Sequence, residues 1–391
     1  MSYPKAILKH KEDRRIKAGH QWVFSNEIHS VEGTPAPGEI VQVFNASGHS
    51  LGYGFYNNNS LIAVRMMDES FQGNLEDYFR TKILSAYELR KSCYPNRDSF
   101  RLVFSESDRL PGLIIDKYNL TFVMQVNSAG MEKNIGIITS ILVNDLGAQN
   151  IFTRNEKYFR ELEHLNINDT VYHGAEGIEI ISDGTIRYEI DFSNSQKTGF
   201  YFDQCDNRSF IRKFCGSKKV LDAFCNQGGF GLNAVYGLAE DVVFVDSSRT
   251  ELQKAQNNFN LNGFQTEHAF IESDVFDFLE ACAQRGETYD VIIIDPPAFA
   301  KNKKSKFSAL KGYEKLNRMA LSILRKPGIL VTSSCSYHIS KEELFEAVGI
   351  AGNKLKKNLR LIYYNGASLD HPVLPAMPET SYLKFAVYFN I

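Results

Sequence analysis

The sequence predicts an α/β protein in three parts: a β-rich N-terminal module, a small central α+β unit, and a C-terminal Rossmann-like sheet of seven strands. Three observations carry this. From about residue 195, apolar strand-like runs alternate with helical stretches, the pattern of a doubly wound sheet. Residues 1–70 instead hold short apolar runs between Gly, Pro, Asn and Ser clusters, as short strands with tight turns require. The stretch between them closes in "IEIISDGTIRYEIDF", where Asp183-Gly184 signals a hairpin turn between alternating runs. The expected boundaries are 1–72, 73–192 and 193–391.

In the central unit, residues 74–95 recur near a 3.6-residue period and predict a helix. "RLVFSESDRLPGLIIDKYNLTFVMQV" reads as strands around a Leu-Pro-Gly turn, followed by a helix over roughly 131–145 and the extended run "AQNIFTRN". In the C-terminal part, "KKVLDAF", "DVVFVD", "HAFIES", "YDVIIID" and "ILVTSS" read as strands. The helices between them include "SRTELQKAQNNFNLNG", ended by glycine. The last two strands, "LRLIYYN" and "YLKFAVYF", lack room for a helical crossover, so an antiparallel edge pair is expected.

Composition bounds the function. At 43% hydrophobic and 23% charged, the chain is an ordinary folded protein. Its apolar runs fall far short of the roughly 20 residues of a membrane span. The start, "MSYPKAILKHKEDRR", has no apolar segment of a secretory leader. The six cysteines form no C-x-x-C pair and no zinc spacing, so no metal is expected, and free thiols in a reducing cytoplasm are. A net charge of −2 argues against nucleic-acid binding over the whole surface. Two local basic runs, residues 1–18 and the six lysines of 301–315, would still suit an anionic polymer.

The cofactor signal lies at the strand ends. The first C-terminal strand runs into "LDAFCNQGGFG", with Asp222 ahead of Gly228, Gly229 and Gly231; glycines there let a ligand approach the backbone. The next strands end in Asp246, suited to ribose hydroxyls, in Asp274, suited to an adenine amino group, and in Asp295 of "DPPAF". A rim of four acidic strand ends would repel a pyrophosphate and suits a cationic or neutral adenosine cofactor, S-adenosylmethionine above all.

From "SQKTGFYFDQCDNR" through "DPPAFAK" to "SSCSYH" and "DHPVLPAMPETSYLK", the chain resembles the class I methyltransferases of the large-subunit ribosomal RNA methyltransferase I type. "LKHKEDRRIKAGHQWVFSNEI" resembles that family's PUA start and "SDRLPGLIIDKY" its middle domain. The resemblance implies a PUA RNA-binding domain, a β-β-α-β-β domain and a catalytic sheet. It also implies S-adenosylmethionine as cofactor, and RNA, ribosomal in this family, as substrate. On matching positions it implies a cofactor site of Lys197, Thr198, Tyr201, Asp222, Phe224, Gly228, Gly229, Asp246, Ser247, Asp274 and Pro296. RNA contacts are expected from Arg14, Arg15, Lys17, Trp22, Lys301, Lys303 and Lys304. One departure stands before the paired glycines: the family's aromatic and hydroxyl residues are replaced by Cys225-Asn226-Gln227, and Cys225 reads as a packing residue. The sequence leaves a homodimer open.

Methylating carbon 5 of a pyrimidine needs nucleophilic help, because that carbon is a poor nucleophile; a thiolate adding to carbon 6 provides it. Cys335 in "VTSSCSYH" follows the fifth strand and Asp295 the fourth, neighbours in the class I order, so both can face one base. Asp295 would bind the pyrimidine edge, and His338, more weakly His371, or a water would take the carbon 5 proton. "DPPAFA" holds no second cysteine, so this mechanism uses Cys335 alone. Two alternatives stay open: methylation of an exocyclic amine, with Phe299 of "DPPAF" stacking on the base, and a non-catalytic RNA-binding or assembly factor.

Overall fold

A computed structural model describes residues 3–194, 198–300 and 303–391, the side chains of 194 and 303 excepted. The chain forms two compact units. One comprises Met1–Gly184, Ile190–Phe202 and Leu369–Thr380; the other comprises Thr185–Glu189, Asp203–Ser368 and Ser381–Ile391. Among the described residues no helix is long and apolar enough to cross a membrane.

The first unit holds a six-stranded and a five-stranded sheet. The six strands, from Lys5–Leu8 to Ile62–Met66, are short and pair antiparallel except for Lys5–Leu8 with Ile40–Phe44. The five-stranded sheet centres on Leu113–Tyr118 and Thr121–Val126, and helix Leu75–Cys93 packs Phe79 and Ile83 into its core. That helix starts where its periodicity does. Asn74 caps it by accepting from the Glu76 and Asp77 N–H groups.

The second unit is a seven-stranded sheet flanked by helices. Its strands are β1 (Lys219–Ala223), β2 (Asp241–Asp246), β3 (Glu267–Glu272), β4 (Tyr289–Ile294), β5 (Leu324–Ser334), β6 (Leu359–Asn365) and β7 (Lys384–Asn390). The helices are α1 (Cys205–Ile211), α2 (Gly229–Tyr236), α3 (Arg249–Leu261), α4 (Val275–Arg285), α5 (Lys306–Ser322) and α6 (Lys341–Lys354). The order is β3-β2-β1-β4-β5-β7-β6, a doubly wound sheet with its switch point between β1 and β4. The closing strands pair antiparallel, and β7 is inserted between β5 and β6, antiparallel to both. Helix α5 begins at Lys306, within the lysine run, and β5 begins at Leu324, ahead of the apolar stretch that announces it.

Helix α2 lies close on β2. A Cβ on Gly231 would sit 2.0 Å from the Phe244 ring, which itself stacks on Phe270 at 4.6 Å. The third glycine of the loop therefore serves packing. Gly231→Ala forces the ring or the helix to move and should cost about 1–3 kcal/mol. A lowered urea midpoint would register it, whereas an unchanged midpoint would mean that α2 shifts freely.

Candidate active site

Strands β1 to β5 run parallel, so the loops after them form one rim. Asp222, on β1, is fully buried. One of its carboxyl oxygens accepts the Gly231 N–H at 2.7 Å, and the other is buried with no partner among the described residues. Burial pushes Asp222 up to about 7, against the Gly231 N–H and with the help of the Asp295 charge. The loop after β1 is strained: Phe224 has φ +62° and Asn226 φ +48°, left-handed backbone that costs a non-glycine residue about 1–2 kcal/mol. Bonds to the end of β2 hold it there. Cys225 N–H donates to the Val245 carbonyl at 3.0 Å, and Asn226 N–H to Asp246 Oδ2 at 2.9 Å.

Asp246 also accepts the Ser248 N–H at 2.9 Å through its other oxygen. A carboxylate can accept about four hydrogen bonds, so two remain for hydroxyl donors. Asp274 caps α4, taking the Phe276 and Asp277 N–H groups on one oxygen, and is exposed. Ser247 is exposed, Phe224 half-buried and Pro296 buried. Gly228 has φ +81°, and a Cβ on Gly229 would fall 2.5 Å from Nε of Arg208. Gly229 thus makes room for a buried guanidinium.

That guanidinium lies within electrostatic reach of Asp203, Asp222 and Asp295. Asp295, following β4, retains partial exposure, yet desolvation pushes it up to about 6 against the pull of Arg208. Gln204 Nε2 donates to Asp295 Oδ1 at 3.1 Å and to Ser333 Oγ at 3.4 Å, tying the end of β4 to β5. In the β4–β5 ladder Ile294 faces Thr332, which sets Asp295 beside Ser333, two residues ahead of Cys335.

Cys335 is half-buried; of the six cysteines only it and Cys93 are not buried. Its neighbours are fixed. Ser334 Oγ donates to Tyr313 Oη at 2.9 Å, Tyr313 Oη and Ser336 Oγ lie 3.0 Å apart, and Ser336 Oγ accepts the Ala300 N–H at 3.3 Å. Cys225 is buried, and burial pushes its thiol well up, as befits packing rather than chemistry. His338 is half-buried three residues past Cys335. His371, buried and hydrogen-bonded to Asp370 at 2.7 Å, belongs to the first unit.

The model of the PUA-like domain family matches residues 6–69, and that of the S-adenosylmethionine-dependent methyltransferase family matches residues 169–361. The ribosomal RNA large subunit methyltransferase I of Aeromonas salmonicida is 35% identical over 384 residues, 97% of both chains. That of Photobacterium profundum is 35% identical over 390 residues, 98% of both. The chain belongs to the ribosomal RNA large subunit methyltransferase I family. A solved structure described as a methyltransferase complexed with SAH covers both chains fully at a TM-score of 0.85 and 20% identity, and shares the fold.

As a member of this methyltransferase family, the chain uses S-adenosylmethionine, and the rim fits it. Three carboxylates lie within electrostatic reach of one guanidinium, and Asp222 offers a buried acceptor with no partner among the described residues, so a cationic ligand suits the charge balance. Among the described residues no cluster of His, Cys, Asp or Glu could hold a metal ion. Thr198, buried, and Tyr201, half-buried, lie in Ile190–Phe202 of the first unit, where Phe200 N–H donates to Tyr118 Oη at 2.9 Å. Lys197 and Lys301 lie outside the described residues, as does the side chain of Lys303.

Of the basic candidates, Arg14 and Lys304 are exposed. Arg15 is bridged to Glu27 at 2.6 Å and Lys17 to Asp13 at 2.5 Å. Trp22 Nε1 donates to Glu106 at 2.8 Å, beneath Arg65, so it is anchored within its unit. Sequence reasoning passed over Gln204, Arg208, Tyr313, Lys384 and Phe307. Gln204, Arg208 and Lys384 stand inside the stretches that carry the family resemblance, a signal that marks positions without roles. Phe307, in the first turn of α5, is 70% exposed, with Lys311 Nζ 4.5 Å from its ring centre.

If Asp222 meets the cofactor's cation, its raised carboxyl should make cofactor binding pH-dependent. In the unfolded chain Asp titrates near 4. Between about 4 and 7 the folded chain therefore holds more protons than the unfolded one, so stability of the free protein falls as pH rises through that window. A bound cation favours the ionised carboxyl and opposes this fall. The rise in melting temperature at saturating S-adenosylmethionine should accordingly be larger at about pH 8 than at about pH 5.5, and Asp222→Asn should flatten the difference. An increment equal at both pH values in the wild type would mean that Asp222 does not answer to the cation.

Proposed function

We propose that this chain methylates carbon 5 of a cytosine in large-subunit ribosomal RNA through a covalent adduct of Cys335. The observation that carries the reading is a half-buried thiol just past the carboxyl end of β5, next to the strand that ends in Asp295. Relatives named for large-subunit ribosomal RNA, 35% identical over nearly the whole chain, support RNA as substrate.

S-adenosylmethionine supplies the electrophilic methyl group. Asp222 is assigned to its cationic portion, Asp246 to its ribose and Asp274 to its adenine, with Phe224, Gly228, Gly229, Ser247 and Pro296 around them. The Cys335 thiolate adds to carbon 6, and the electron pair of the carbon 5–carbon 6 double bond makes carbon 5 nucleophilic. Asp295, which burial pushes up to about 6, gives its proton to N3 of the pyrimidine as negative charge develops there and takes it back when the ring is restored. Carbon 5 takes the methyl group as the sulfur–methyl bond breaks, its electron pair leaving with the sulfur as S-adenosylhomocysteine; a base then removes the carbon 5 proton, and His338 is the candidate in the same unit. The electron pair re-forms the double bond and expels Cys335 as thiolate.

The amine-methylating alternative asks Phe299 to stack on the base. Its ring instead lies 4.8 Å from that of Tyr313 in an apolar cluster with Ala300 and Ala309, which favours the thiol route. The assembly-factor alternative is weakened by the retained carboxylates Asp222, Asp246, Asp274 and Asp295; of these Asp274 follows its strand by two residues and caps α4.

Cys335→Ala should abolish transfer and leave cofactor affinity nearly intact, and RNA carrying 5-fluorocytosine should trap an adduct on the wild type. If folded Cys335→Ala methylates at near wild-type rate, the covalent route is wrong. For RNA contact, Arg14 and Lys304 are free to meet phosphates, and Phe307 offers a ring to a base. Phe307→Ala should weaken RNA binding by about 1–3 kcal/mol. Lys304→Ala should instead lower the salt slope by roughly 0.7–0.9. Titrations at several salt concentrations separate the two effects; unchanged affinity and slope in both would leave this face as solvated surface.

A further inference from the structure

One charged group beside the thiol has no part in the scheme above. Lys384 of β7 pairs with Ser334 of β5 in the ladder, adjacent to Cys335, and is only 6% exposed. Its Nζ donates to the carbonyls of Ser336 at 2.6 Å and Tyr382 at 2.7 Å. An ammonium has three donors, so one is left over. Among the described residues no carboxylate forms an ion pair with it. A buried cation without a counter-ion is costly unless something nearby supplies negative charge. The group that most favours its charged form is Cys335, ahead of Glu343 on α6.

We propose that Lys384 is a positioning residue for the nucleophile, its ammonium serving as counter-ion to the Cys335 thiolate. The inference rests on Cys335 as nucleophile and adds how its thiolate is formed. The thiol proton leaves to water, the ammonium keeps its three protons, and the freed sulfur lone pair is the one that attacks carbon 6. When the adduct breaks, the sulfur returns as thiolate to the same counter-ion. Burial brings Lys384 down to about 8, so it remains mostly charged at neutral pH. Tyr313 from α5, kept neutral by burial, feels the Cys335 charge, Glu343 acts on Lys384 from α6, and Asp295 follows the neighbouring strand β4. Tyr337 and His338 follow in the same loop.

The test is the pH dependence of iodoacetamide alkylation at Cys335, read by peptide mass spectrometry on the full-length protein, with half-buried Cys93 as internal reference. The wild type should show its inflection below the ordinary thiol value of about 8.5. Lys384→Met should move it up by about one unit, making alkylation at pH 7 about tenfold slower, and Lys384→Arg should restore most of the rate. Should the Met variant fail to fold, Lys384→Gln keeps a donor for the carbonyls without the charge and gives the same readout. If Lys384 only satisfies two carbonyls, its replacements lower the melting temperature and leave the inflection in place, which overturns the proposal. Failure of the underlying reading looks different: folded Cys335→Ala would still methylate RNA, whatever the thiol titration.

Discussion

Arg208 lies buried where a side chain on Gly229 would otherwise be, within electrostatic reach of Asp203, Asp222 and Asp295. Much of the rim follows from placing one positive charge among three negative ones. The guanidinium lowers both Asp222 and Asp295, and still desolvation wins, leaving both above the ordinary carboxyl range. The rim is therefore short of positive charge when all its carboxyls are ionised. A sulfonium or ammonium group relieves that shortage, whereas a phosphate would deepen it. On the proposed assignment, selectivity for a cationic adenosine cofactor would follow from this charge balance, which depends on Gly229 leaving room for Arg208.

Strand ends were the legible part of this site. Asp222, Asp246, Asp274 and Asp295 can be read from the alternation of apolar runs and acidic residues, because each strand length is set by its buried stretch. What the sequence could not separate was their environments. Asp222 is fully buried and strongly shifted, while Asp274 is an exposed helix cap satisfied by its own backbone. The same residue type thus stands in two settings, within a strand at Asp222 and two residues past a strand, capping a helix, at Asp274.

The partners of these residues were hidden for a different reason. Gln204 reaches Asp295 across 91 positions and Ser333 across 129, and Arg208 finds its seat through a glycine in another loop. No local periodicity marks such contacts. The insertion of β7 between β5 and β6 is equally silent, since chain order suggests only that the closing strands pair. That insertion brings Lys384 beside Cys335. The N-terminal basic run shows the converse limit: the charges of Arg15 and Lys17 are plain in the sequence, but their ion pairs with Glu27 and Asp13 are not.

The serines around Cys335 acquire a reason in the fold. Ser333, Ser334 and Ser336 are fully buried, and each hydroxyl has a partner in Gln204, Tyr313 or the Ala300 N–H. Apolar residues there could fill the space but could not bond to these groups, and the chain would be free to draw the thiol inward, as cysteine prefers. Bonded hydroxyls on both sides instead fix the backbone, so the one residue between them that turns partly outward is the cysteine. Tyr313 makes this frame common to Ser334 and Ser336, and the Lys384 ammonium holds the Ser336 carbonyl from the other strand. A nucleophile must meet its target within a few tenths of an ångström. The polar frame fixes the backbone on both sides of Cys335 and leaves that residue half-buried, the setting the proposed nucleophile would need and one that burial in an apolar core could not provide.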